Sequence, residues 1–230
     1  MLSLRTREQK IILQGGLVDM VRKTFDRELE LLNRSLIEMG NLCVDGIDLA
    51  LDALFKKDAV ESINEKVHII ERDTDRKERD IEDLCMKLIL RQQPVARDLK
   101  VISAALRMVS DMERIGDQVA DIADIAKNIG DKTLGGETHI KDMAMEAKTM
   151  VINSVESFVN KNIELADNVI ESDEKVDVLF VQLKRELLKI IYKDISLGQI
   201  ALDVLMVAKY FERLGDHAVN IAECVKYAYK

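Results

Sequence analysis

Two stretches of this chain repeat the order Glu-Arg-apolar-Gly-Asp: Glu113-Arg114-Ile115-Gly116-Asp117 and Glu212-Arg213-Leu214-Gly215-Asp216. The first continues to Asp121 and the second to Asn220. Residues four apart on a helix share a face. Glu113, Asp117 and Asp121 therefore make one acidic line, and Glu212, Asp216 and Asn220 a second. Like charges at this spacing destabilise a helix by roughly 0.2–0.5 kcal/mol per pair. An interior glycine costs about 1 kcal/mol relative to alanine. Two local costs recurring at matching places call for a compensation from outside the helix. Two further acidic pairs lie upstream of the motifs, Glu71 with Asp75 and Asp173 with Asp177. If neighbouring helices turn them toward the motifs, each half of the chain gathers an oxygen-rich set suited to a hard or borderline divalent cation: iron, zinc, manganese or magnesium. A metal would neutralise the repulsion, and the glycine would admit a neighbouring helix or a ligand. The plainer reading is a solvated acidic face neutralised by Arg114 and Arg213; it explains one motif better than it explains two.

Other chemistry finds less support. A catalytic di-iron bundle needs two Glu-x-x-His motifs, and Glu65-Lys66-Val67-His68 stands alone. His139 sits beside a linker and is expected to face solvent. His217 follows Asp216 and is read as an auxiliary ligand or, more simply, a surface histidine. There is no phosphate-cradling glycine loop, nucleophile elbow or Cys–His arrangement. Cys43, Cys85 and Cys224 are odd in number and far apart, the pattern of free thiols in a reducing compartment. No catalytic role is assigned to any residue.

The elements that must position these acids are helices. The 230 residues include one proline, Pro94, and only 10 glycines, too few breakers for anything but long helices and few turns. Apolar residues are 47% and aromatics 4%, with no Trp, as in bundle cores of Leu, Ile, Val, Ala and Met. Helical periodicity predicts helices over 17–55, 59–91, 94–128, 138–166, 172–194 and 196–229. Asp58 with Glu61 is expected to box the start of the second, and Pro94 to turn the corner into the third. Lys77 interrupts an otherwise apolar stripe. In the third helix the stripe is Val101, Ala105, Met108, Met112, Ile115, Val119, Ile122 and Ala126. In the sixth it is Val204, Val207, Phe211, Leu214, Ala218, Ile221 and Val225. From Ala105 onward the two match at a constant offset of 99 residues, while the acidic pairs upstream align at 102. The expectation is an all-α fold of two tandem three-helix bundles related by internal duplication: an N-terminal extension over 1–20, a first repeat over 21–130, a linker over 131–137 and a second repeat over 138–230.

A net charge of -8 argues against nucleic acid as a partner, since phosphate binding needs a concentrated basic surface. No apolar run approaches the roughly 18 residues of a membrane span. The chain is expected in the cytoplasm or, at most, peripheral to a membrane.

The paired motifs, with His217-Ala218-Val219-Asn220-Ile221-Ala222 completing the second, resemble the signature of the PhoU family. So does the corner Arg91-Gln92-Gln93-Pro94-Val95-Ala96-Arg97-Asp98-Leu99, and so does the opening Phe25-Asp26-Arg27-Glu28-Leu29 with Met39 downstream. The resemblance covers roughly Thr24 to the C-terminus. It departs where Asp121 stands against Asn220, which leaves the two sites room to differ in affinity, and it leaves the N-terminal extension unexplained. The resemblance implies a duplicated three-helix bundle, homodimeric, with metal clusters on the acid motifs. It implies a non-enzymatic negative regulator of the phosphate-starvation response. Such a regulator is an adaptor between a phosphate ABC transporter and a sensor histidine kinase at the inner membrane face. Two alternatives compete: a metal-dependent phosphate-ester hydrolase or simple metal-binding protein, and a structural accessory of another phosphate or ion permease.

Overall fold

The computed structural model describes the backbone of residues 2–56, 60–92, 94–129 and 139–230, with side chains from residue 23 onward within those ranges except residue 92. Six helices carry the described chain: α1 (Leu2–Phe55), α2 (Val60–Gln92), α3 (Ala96–Ile129), α4 (Ile140–Val159), α5 (Ile163–Lys193) and α6 (Gly198–Tyr229), with a 3₁₀ turn, Ile195–Leu197, leading into α6. The described residues contain no strand. None of the helices searched among them is long and apolar enough to cross a membrane. The Asp58 capping box and the 131–137 linker lie outside the described residues.

The main departures from expectation are the start of α1 and the α4–α5 junction, where α5 begins at Ile163 and not at 172. Helix α1 begins at Leu2 and passes through Gly15-Gly16, because glycine weakens a helix without stopping it. Helix α4 ends at Val159, where the periodicity had carried it to 166. Lys161 adopts φ 55° there, and the Asn162 side chain caps α5 by accepting from the Leu165 amide at 3.0 Å. A left-handed lysine between two asparagines turns the chain without glycine or proline.

Helices α1, α2 and α3 pack mutually, as do α4, α5 and α6; α3 against α6 and α1 against α4 join the halves. The predicted stripes of α3 and α6 are buried throughout. Lys77, the intruder in the α2 stripe, reaches Glu38 of α1 at 2.6 Å and so keeps its ammonium at the surface. Gly40 of α1 faces Val155 of α4, with room for a Cβ only 3.1 Å from that side chain, and Lys148 of α4 bonds Asp48 of α1 at 2.6 Å.

Helices α3 and α6 run antiparallel about a local two-fold relation. Asn220 Nδ2 donates to Asp111 at 3.0 Å. At the equivalent crossing Tyr210 faces Asp121, which adds to burial in raising the phenol's pKa. Between them Gln118 and His217, counterparts in the two repeats, meet each other at 3.0 Å, while His217 Nδ1 bonds Asp111 at 2.8 Å. The duplication read from the apolar stripes is thus present as paired side chains.

Candidate metal centre

In the first half, α2 and α3 bring Asp75, Glu113 and Asp117 together, with ligand oxygens all within 4.8 Å of one another and each side chain partly buried. Gly116 permits this. A Cβ there would lie 3.2 Å from Thr74 Cγ2, so the glycine sets how closely α3 approaches α2. Thr74 is 0% exposed and its hydroxyl is tied to the Ile70 carbonyl at 2.9 Å.

The electrostatics fit a site short of positive charge. Burial first, and then the neighbouring Asp117 and Glu78, push the Glu113 carboxyl above its ordinary pKa. Burial, Asp75 and Glu71 do the same to Asp117. Arg114 offsets little: its Nε lies 3.5 Å from Glu113 on a side chain 65% exposed. Glu78 belongs to this group and was missed by sequence reasoning. Its pKa is also raised, by burial and then by Glu82. Its place three residues after Asp75 on the same helix face was the available signal.

Other predicted residues sit elsewhere. Glu71 turns to His68 Nδ1 at 2.6 Å, with His68 also 3.3 Å from Asp124; Glu71 reaches the cluster by charge alone. Asp121 is exposed and engages Tyr210. His217 lies between α3 and α6, only 19% exposed and not on the surface as the simpler expectation had it, with its ring nitrogens facing Asp111 and Gln118. His139 is only partly exposed and bonds Glu186 at 2.6 Å.

In the second half, Asp173 and Asp216 face each other's charge and those of Asp177 and Glu212. Asp173 is raised by burial, then by Asp177, Asp216 and Glu212. Asp216 is raised by burial and Glu212, with Lys209 opposing. Yet the first-half trio is the only one among the described residues whose ligand atoms converge. Lys209 pairs directly with Glu212, and Asn220 is turned to Asp111. Gly215 faces softer neighbours than Gly116 does, the Asp173 carboxylate at 3.3 Å and the Met150 tip at 3.6 Å.

That difference fixes opposite outcomes for one substitution. Gly116→Ala destabilises by roughly 1–2 kcal/mol, because overpacking against a tethered Thr74 exceeds the propensity gain. Thr74→Ser, which deletes the nearest atom, recovers most of it in a double-mutant cycle. Gly215→Ala is neutral or stabilising by up to about 1 kcal/mol. Urea denaturation of the four variants checks this; equal effects at both glycines would contradict the packing.

The acids also set the pH response. For Glu78, Glu113, Asp117, Asp173 and Asp216 the folded pKa is raised, so the folded chain holds more protons than the unfolded one, and stability falls as pH climbs from the ordinary carboxylate range through the raised values. His68 is raised by Glu71 above all. Its contribution is complete below the ordinary histidine value and lost as pH passes the raised one. Asp124, lowered on balance by bonds from Asn64 and His68 against its burial, acts oppositely and only at lower pH. Without added metal the melting temperature is therefore expected higher near pH 5 than near pH 8, and Asp117→Asn flattens that slope.

The three cysteines are buried and unpaired. Burial pushes Cys43 and Cys85 up to about 12 and Cys224 to about 11, which leaves them inert as nucleophiles or ligands.

With this geometry in hand, comparison with known proteins is informative. The family model described as PhoU domain matches twice, over residues 36–126 and 140–225. A protein of Clostridium acetobutylicum named phosphate-specific transport system accessory protein PhoU homolog is 36% identical over 217 residues, covering 90% of this chain and 95% of that one. The crystal structure of PhoU from Pseudomonas aeruginosa superposes with a TM-score of 0.82 at 29% identity, covering 89% of this chain and 98% of the other. That of the phosphate transport system regulatory protein PhoU from Streptococcus pneumoniae gives 0.80 at 25%, covering 89% and 96%.

Proposed function

The chain belongs to the PhoU family, and from that premise we propose that it is the accessory protein of a phosphate-specific transport system and a negative regulator of the phosphate-starvation response. It acts without catalysis, as a cytoplasmic adaptor between the phosphate ABC transporter and a sensor histidine kinase, working as a homodimer peripheral to the membrane. The observation that carries this reading is the end-to-end match: both repeats align, and the match covers nearly all of this chain and of the relative that bears the accessory name.

A divalent cation is part of the proposal. Asp75, Glu113 and Asp117 are the residues that would hold it, with Glu78 at the margin. Three convergent carboxylates, two of them raised and with only a peripheral arginine nearby, are the donor set that a hard or borderline cation takes. When bound, the ion supplies the positive charge that the cluster lacks and ties α2 to α3. The chain's own residues hold the geometry: Gly116 and Thr74 set the helix spacing, and His68 draws Glu71 aside.

The test is a phosphate-regulon reporter in phosphate-rich medium. A strain lacking the gene is expected to derepress the reporter and the wild-type gene to silence it; Asp117→Ala/Asp216→Ala then shows whether the acid motifs carry the silencing. A reporter that stays silent in the deletion strain would reject the regulatory role. Turnover of phosphate esters above buffer background by the manganese-loaded chain would reject the non-enzymatic one.

A further inference from the structure

The two acid clusters are built from equivalent positions, but their surroundings differ in one direction only. At the 99-residue offset, Ser110 of the first half corresponds to Lys209 of the second. At the 102-residue offset of α2 and α5, Glu78 corresponds to Phe180 and Glu82 to Lys184. In the first half Ser110 bonds Glu78 at 3.3 Å, and Glu82 adds its charge to Glu78. In the second, Lys209 pairs with Glu212, and the ammonium groups of Lys184 and Lys209 lie 5.3 and 5.7 Å from the Phe180 ring centre. Two acids and a hydroxyl on one side are replaced by an aromatic ring and two lysines on the other.

We infer that the second cluster is closed to metal, Lys209 serving as its resident counter-ion, and that a divalent cation binds only in the first half. The donor set of the second half does not fit a metal. Its oxygens do not converge as the first trio does, and the Glu212 carboxylate already accepts from an ammonium. An ion at the same carboxylates would sit a few ångströms from the Lys209 ammonium and would have to displace it from Glu212, against a like-charge repulsion that solvent screens in part, since Lys209 is 41% exposed. An internal lysine also persists whatever the metal supply, so the second half keeps one charge state while the first responds to cation concentration. This rests on the metal reading of the first half, and the experiment separates the two.

Full-length protein is stripped of metal and titrated with manganese(II) by calorimetry, with elemental analysis of the dialysed product. The wild type is expected to show one saturable uptake, lost in Asp117→Asn and kept in Asp216→Asn. Lys209→Ser gains a second uptake, present also in Asp117→Asn/Lys209→Ser and removed by adding Asp216→Asn; Lys209→Arg, which keeps the charge, gains none. Uptake by Asp117→Asn that Asp216→Asn abolishes would overturn the inference. So would a helical, cooperatively melting Lys209→Ser that gains nothing. Should Lys209→Ser fail to fold, Asp117→Asn against Asp117→Asn/Asp216→Asn decides alone. A wild type that takes up no manganese rejects the first-half reading, while a gain in Lys209→Ser would still uphold the lysine's role.

Discussion

Saturating manganese(II) raises the melting temperature of the purified chain by about 5–10 °C. A ligand at 100 times its dissociation constant that binds only the folded state contributes about 2.7 kcal/mol, and each kcal/mol moves the midpoint of a chain this size by about 2–4 °C. The informative partner is Asp117→Asn. This near-isosteric change removes one charge from a site where Asp75, Glu71 and Asp121 all oppose that charge. Without metal the variant therefore melts at or above the wild type, and with metal it does not move. Damage to the fold alone cannot produce that crossing of curves. Equal upward shifts in both proteins would place the ion elsewhere, and no shift in either would leave an acidic face held by water.

Phe211→Ala costs about 3–5 kcal/mol, the range for emptying a filled aromatic site in a rigid core, and lowers the midpoint by on the order of 10 °C. Phe211 is 0% exposed and sits on α6, the helix that packs against α3, α4 and α5. A cavity there loosens the second bundle and the joint between the halves at once. Tyr192→Ala, which removes an aromatic side chain 93% exposed, stays within about ±0.5 kcal/mol. Urea unfolding of both variants checks the contrast; a loss below about 1 kcal/mol at Phe211 would mean that α6 is not the shared strut described above.

The bundle was legible because apolar spacing in long helices encodes burial directly: Ala105 to Ala126 and Val204 to Val225 are buried as their period requires. Breaks without glycine or proline were not legible. Asn160-Lys161-Asn162 turns the chain through one left-handed lysine, which no periodicity announces. The acid site was legible in part. Spacing along α3 placed Glu113 and Asp117 on one face, and Asp75 joined them from α2. The same spacing placed Asp121 there too, but a helix face spans more than one neighbour, and Asp121 looks toward α6 and Tyr210. His217 was unreadable for the same reason: its partners, Asp111 and Gln118, lie about a hundred residues earlier in the chain. Glu71 was diverted by a histidine one turn away, a local competition that residue types alone do not decide.

The crossing of α3 and α6 also carries an instruction about who pairs with whom. Tyr210 opposes Asp121 and Asn220 opposes Asp111, and Tyr210 stands in the second repeat where Asp111 stands in the first. Suppose two first repeats from different molecules met through the same face. Asp121 of each would then confront Asp111 of the other, two carboxylate encounters in place of the Asn220 hydrogen bond and the Tyr210 contact, and like charges directly opposed discriminate by repulsion. Each first repeat is thereby made a poor mate for its own kind and a good one for a second repeat. The two repeats have thus diverged so that this face favours unlike repeats over two first repeats, whichever chains they come from.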